Sequence, residues 1–134
     1  MKALLLDYTH PFLEADLEAG GLELVRDFDR SFAEFPEGHF EAEVLVIRSR
    51  MPVDADFLAA FPKLRVIGRL GAGLENIDLN VARERGITCL RVPEGNAQAV
   101  AEHALGMLLA LMNHIPRAQR EVRAGRAAGN AMGG

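Results

Sequence analysis

Three short stretches of this chain carry residue types suited to holding an anion. In Arg48-Ser49-Arg50 two guanidinium groups stand two residues apart. If strand geometry persists there, both point to one side, and a guanidinium fork suits phosphate or carboxylate. Gly71-Ala72-Gly73-Leu74 reads as a turn with uncovered backbone N–H groups, and two convergent N–H donors hold a carboxylate with no side chain in the way. The glycines would permit positive φ and close approach. Asn96 can cap a helix whose first-turn N–H groups are free to meet an anion or a cofactor amide. Each stretch also has a plainer reading: the arginines as one inward side chain and one surface ion pair, the glycine turn as a simple strand-to-helix connection. Glu102 and His103 are not an acid–base pair, because adjacent helical residues point about 100° apart.

Composition narrows the function classes. The 134 residues suffice for one domain with an adequate core. A net charge of −4, with thirteen Arg and two Lys scattered among acids, argues against a nucleic-acid surface. Cys89 is alone in an apolar strand and reads as an inert core thiol, so no disulfide framework exists within one chain. No residue cluster suggests a metal. No apolar run reaches a membrane span, the first ten residues show no cleavage pattern, and cytoplasm is the default.

The elements that must position these residues alternate. Ala3 to Leu6, Leu22 to Val25, Val44 to Ile47, Leu64 to Leu70 and Ile87 to Val92 are short apolar runs of the kind buried in a parallel sheet. Phe12, Leu13 and Leu17 mark a helix ended by Gly20-Gly21. Asn76 and Asp78 offer N-caps for a helix from Leu79 to Arg85, stopped by Gly86. Phe28, Phe32, Phe35 and Phe40 belong to a segment broken by Pro36 and Gly38 that packs on the sheet, with His39 in solvent. Right-handed crossovers and an order 2-1-3-4-5 give a flavodoxin-like doubly wound α/β sheet of five parallel strands. A long apolar helix follows from Ala97 to Ile115, then an amphipathic turn or two from Arg117 to Arg126 and a tail from Ala127 to Gly134. The division expected is 1–96 for the sheet domain and 97–134 for helix and tail.

Arg48-Ser49-Arg50, VIGRLGAGLENIDLNVARERGI, VPEGN and AVAEHALGMLLAL, in that order, resemble the NAD-dependent D-2-hydroxyacid dehydrogenases, and among them the D-3-phosphoglycerate dehydrogenases. The resemblance implies a substrate-binding domain that holds a small anionic hydroxyacid or oxoacid at Arg48, Ser49, Arg50, Gly71, Ala72, Gly73, Leu74 and Asn96, with Val100 at the cleft toward the cofactor. It places the catalytic Arg, Glu and His beyond residue 134, so that no catalytic residue is expected in this chain. The complete enzyme would use NAD. No strand followed by G-x-G-x-x-G is present, and Asn76 stands where the third glycine should be, so the chain alone is expected to bind no cofactor and to hold only the acid. The resemblance further implies that the helix from Ala97 to Ile115 packs at a domain and subunit junction, hence a homodimer. Two other classes stand beside this one: a stand-alone anion-binding or regulatory module, and a phosphoreceiver-like domain. The last would need an Asp ending the third strand, where Arg48 stands.

Overall fold

The computed structural model describes residues 1–125, and the tail expected from Ala127 to Gly134 lies outside them. Chain contacts divide it into two units, Met1–Gly95 and the segment from Asn96 onward.

In the first unit five strands form one parallel sheet in the order β2-β1-β3-β4-β5: β1 (Lys2–Leu5), β2 (Glu23–Arg26), β3 (Val44–Ile47), β4 (Val66–Arg69) and β5 (Thr88–Arg91). This is the α/β architecture and strand order expected from the spacing of the apolar runs. Helices cover both faces. Leu13 and Leu17 of α1 (Pro11–Ala19) pack with Phe28 over Ala3, Leu5, Val44 and Val46. The opposite face, with Leu4, Leu45, Ile47 and Ile67, is covered by Phe57 and Leu58 of α2 (Ala55–Ala59) and Ala82 of α3 (Leu79–Glu84). Alternate strand residues face opposite ways, so two apolar layers require runs that are apolar throughout. All four residues of β3 are buried.

Some elements differ from the sequence reading. α2 is only five residues long, too short for an apolar period to show in the sequence; Asp54 caps it by accepting from the Phe57 N–H at 2.8 Å. Between β2 and β3 the chain makes two 3-10 turns, Phe32–Glu34 and Glu37–His39, which deliver Phe32, Phe35 and Phe40 onto Phe57 and Phe61. His39 is 8% exposed, not a solvent residue: its Nε2 lies 2.8 Å from Asp27 Oδ2. Asp78 alone caps α3, accepting from the N–H groups of Asn80 and Val81. Gly86 ends that segment at φ 69°, a conformation that favours glycine.

The second unit holds two consecutive helices. α4 runs Ala97–Met112 and α5 Ile115–Arg123. The helix expected to reach Ile115 stops three residues short. Asn113 donates its N–H and its Nδ2 to the Leu109 carbonyl, and His114 turns to φ 53°. Pro116 then sits in the first turn of α5, where its missing N–H costs nothing. No residue of α4 is buried; Val100, Leu105, Leu108, Leu109, Leu111 and Met112 all stand about half exposed or more.

Candidate functional site

Open parallel sheets place ligands beyond the carboxyl ends of their strands. Here that edge is built by the loops after β1, β3 and β4. Asp7, just past β1, is buried and accepts from the Arg48 N–H at 2.7 Å and from Arg50 Nε at 3.4 Å. Asn76 donates Nδ2 to the carbonyls of Arg48 (2.9 Å) and Met51 (2.8 Å). Its carbonyl accepts from Val53, and Val53 in turn accepts from Asp78. One amide side chain thus stitches the loop after β3 to the loop after β4. Asn76 is no helix cap: capping would need its Oδ1 to accept a backbone N–H, and that oxygen is buried without a hydrogen-bond partner.

Arg48 and Arg50 part company. β3 ends at Ile47, so strand geometry does not persist through the pair. Arg50 reaches back across the end of β1, donating to Asp7, to the Leu6 carbonyl and to the Arg30 carbonyl. It is an anchor. Arg48 and Ser49 are exposed, and among the described residues nothing hydrogen-bonds or ion-pairs with the Arg48 guanidinium. The β3–β4 register pairs Ile47 with Arg69, and Leu70 N–H donates to the Ile47 carbonyl, so Arg48 leaves its strand alongside the start of the glycine turn.

That turn is half as expected. Among the described residues no group accepts from the backbone N–H of Ala72, Gly73 or Leu74, while the carbonyls of Gly71 and Ala72 are tied to β5 through Val92 N–H and Arg91 Nη1. Neither Gly71 nor Gly73 adopts positive φ. What lies against them is the chain's own side-chain ends. A Cβ on Gly71 would lie 2.5 Å from Arg69 Nη1, and one on Gly73 would overlap the Glu75 carboxylate, 2.8 Å from its Cδ. A side chain does stand in the way, contrary to the open turn expected. Arg69 Nη2 donates to Glu75 Oε1 at 2.8 Å, so an ion pair lies along the turn.

Sequence reasoning missed Arg69 and Glu75. Arg69 ends β4 on the Ile67 face and is 8% exposed; its Nε is buried with no partner. The signal lay in the strand itself, where an arginine two residues after a core isoleucine must either be buried or twist away. Asn96 precedes α4 with φ −135° and makes no side-chain cap; its carbonyl accepts from Val100 N–H at 2.9 Å. The expected Asn96 cap is therefore absent. Val100 is 58% exposed in the same helix.

The turn does not fit a dinucleotide. A pyrophosphate needs the glycine turn to open straight into a helix N-terminus, whereas α3 begins only at Leu79 and the glycine faces are filled by Arg69 and Glu75. No grouping of three or more His, Cys, Asp or Glu among the described residues could hold a metal ion. A shallow cavity of about 430 Å³ lies between α3 and β5, lined by Leu74, Arg83 and Cys89 among others. Cys89 is half-buried at the sheet edge rather than inside the core, and burial pushes its thiol up from the ordinary value.

The family model of the D-isomer specific 2-hydroxyacid dehydrogenase catalytic domain matches residues 4–132. The chain belongs to that family. Among curated proteins it is similar to D-3-phosphoglycerate dehydrogenase of Archaeoglobus fulgidus, 44% identical over 63% of this chain and 16% of that protein. The Mycobacterium tuberculosis enzyme of the same name is 42% identical over 72% of this chain and 18% of its own length. The human one is 35% identical over 93% and 24%. The chain therefore spans less than a quarter of the length of these curated relatives. Of solved structures, D-lactate dehydrogenase of Aquifex aeolicus, complexed with NAD and lactic acid, superposes with a TM-score of 0.81 at 22% identity, over 96% of this chain and 38% of that one. This likeness shows the fold. The apo D-lactate dehydrogenase of Escherichia coli gives 0.66 at 26% identity, covering 100% and 44%. Among the described residues no helix is long and apolar enough to cross a membrane.

Proposed function

We propose that this chain forms the acid-binding part of an NAD-dependent D-2-hydroxyacid dehydrogenase acting on a substrate like D-3-phosphoglycerate. The observation that carries the reading is the set of N–H groups at Ala72, Gly73 and Leu74, uncovered among the described residues, on the carboxyl edge where Arg48, its guanidinium likewise without a described partner, leaves the neighbouring strand. Backbone donors fix a carboxylate and Arg48 takes a second anionic group, while Ser49 lies between Arg48 and the anchoring Arg50. In the complete enzyme a bound nicotinamide would supply the hydride acceptor for C2 of the acid, and a base from outside this chain would take the hydroxyl proton. The residues of this chain orient the acid for that step. They supply no proton carrier.

Half a cleft leaves one face of the ligand in water, so binding by this chain is weak, with a Kd of roughly a millimolar. Titration with 3-phosphoglycerate should shift the amide resonances of Ala72 and Gly73. If those amides stay still while others move, the site lies elsewhere.

The uncovered side chains of α4 support a second proposal, a homodimer with this helix against its copy. Leu105, Leu109 and Met112 are 55%, 48% and 66% exposed, and nothing lies within 4 Å of a Cβ built on Gly106, so close approach is open there. A self-complementary patch closes under two-fold symmetry without leaving a free edge. Leu109→Arg should give monomers or aggregates on a sizing column with light scattering, and a wild-type chain that stays monomeric at tens of micromolar would refute the dimer.

A further inference from the structure

The Arg69–Glu75 pair is unequal. The Arg69 side chain is 9% exposed and wedged against Gly71, whereas that of Glu75 is 70% exposed on the loop between β4 and α3. A guanidinium carries five donors, yet only Nη2 has a partner here; Nε is buried and unpaired, and Nη1 makes no hydrogen bond among the described residues. A buried charge so poorly compensated holds most of its hydrogen-bonding capacity in reserve. Its one counterion is solvent-facing and free to turn away, because exposed ion pairs bind weakly. Glu75 also lies against the α-carbon of Gly73, within the stretch of uncovered amides.

Resting on the acid-binding reading above, we propose that Glu75 is an affinity-determining competitor: an intramolecular carboxylate that occupies the Arg69 guanidinium and the Gly73 face when the site is empty, and leaves when a ligand carboxylate or phosphate takes its place. The fixed partner is Arg69. The exchanged partner is the oxyanion, which takes over Nη2 and gains the turn amides that Glu75 leaves without a hydrogen bond. Gly71 makes room for the guanidinium, and Gly73 makes room for whichever carboxylate is present. The same pairing restricts the ligand class to oxyanions, since a neutral ligand would leave Arg69 buried with no counterion once Glu75 departed.

The direction of a single substitution separates this role from a structural one. If Glu75 only steadied Arg69, removing its charge would weaken anion binding; as a competitor, it should strengthen it. In the full chain, Glu75→Gln should bind 3-phosphoglycerate about fivefold to tenfold tighter than wild type, judged from the amides of Ala72 and Gly73. Glu84→Gln, the same charge change at an exposed position on α3, serves as control and should match wild type. In the wild-type chain the Arg69 Nε–H resonance should shift on titration, and Arg69→Met should abolish the response of the turn amides. Wild-type binding at Ala72 and Gly73 with an equal or lower affinity in Glu75→Gln would overturn the competitor role and leave the site standing. No response of those amides in either protein, up to about 20 mM ligand, would overturn both.

Discussion

Two arginines leave the carboxyl edge of one sheet and are treated in opposite ways. Arg50, past β3, is 37% exposed and donates to the Asp7 carboxylate and two backbone carbonyls. Arg69, ending β4, is nearly enclosed and among the described residues has one exposed carboxylate for a partner, with Nε and Nη1 unpaired. The more exposed guanidinium is bound up, and the more buried one is in reserve. Burial alone would rank them the other way, so it is the partner list that separates a structural cation from one available to a ligand.

The largest effect should come from cutting the anchor at its centre. Asp7 is 9% exposed and serves both the Arg48 N–H and Arg50 Nε. Asp7→Ala leaves both donors unmatched beneath the edge and should cost about 3 kcal/mol in denaturant unfolding. A loss under about 1 kcal/mol would mean that water replaces the carboxylate and that Arg50 is not anchored as described.

A smaller effect belongs to the other satisfied carboxylate. Burial pulls the Asp27 carboxyl upward, but hydrogen bonds from Arg30 and His39 outweigh it and hold the group below its ordinary value. A lowered folded value means stability that is complete above the unfolded carboxyl range, about pH 4, and is lost as pH falls through the folded value. Asp27→Asn should cost about 2 kcal/mol at neutral pH and flatten this part of the acid limb. Equal acid slopes in the two proteins would show that Asp27 does not carry it.

How far all this is written in the residues follows from the same contrast. Central parallel strands are apolar on both faces, so Val44–Ile47 is legible as an unbroken run, and the strand order follows from handed crossovers. The glycine turn is legible as a turn, since its unpaired amides are a local backbone property. What fills it is not: Glu75 and Arg69 meet through rotamers set by tertiary packing, six residues apart, and no periodicity encodes that. His39 beside Gly38 looks solvated until Asp27, twelve residues back, is seen against it. The break at His114 did have a signal, because Pro116 opens a helix more readily than it continues one.

The smallest effect tests the contrast most sharply. Arg50→Met removes donors from three acceptors that were built around them, and should destabilise by about 1.5 kcal/mol. Arg69→Met replaces a buried, under-partnered charge by an unbranched apolar chain of similar length, and releases a Glu75 carboxylate that is already in water. Such exchanges are often neutral or stabilising, so the change should lie within about 0.5 kcal/mol of zero or favour the variant. Denaturant midpoints at constant m-value compare the pair directly. Should Arg69→Met destabilise as much as Arg50→Met, the Arg69 guanidinium is part of the scaffold, and its unpaired donors are not held for a ligand.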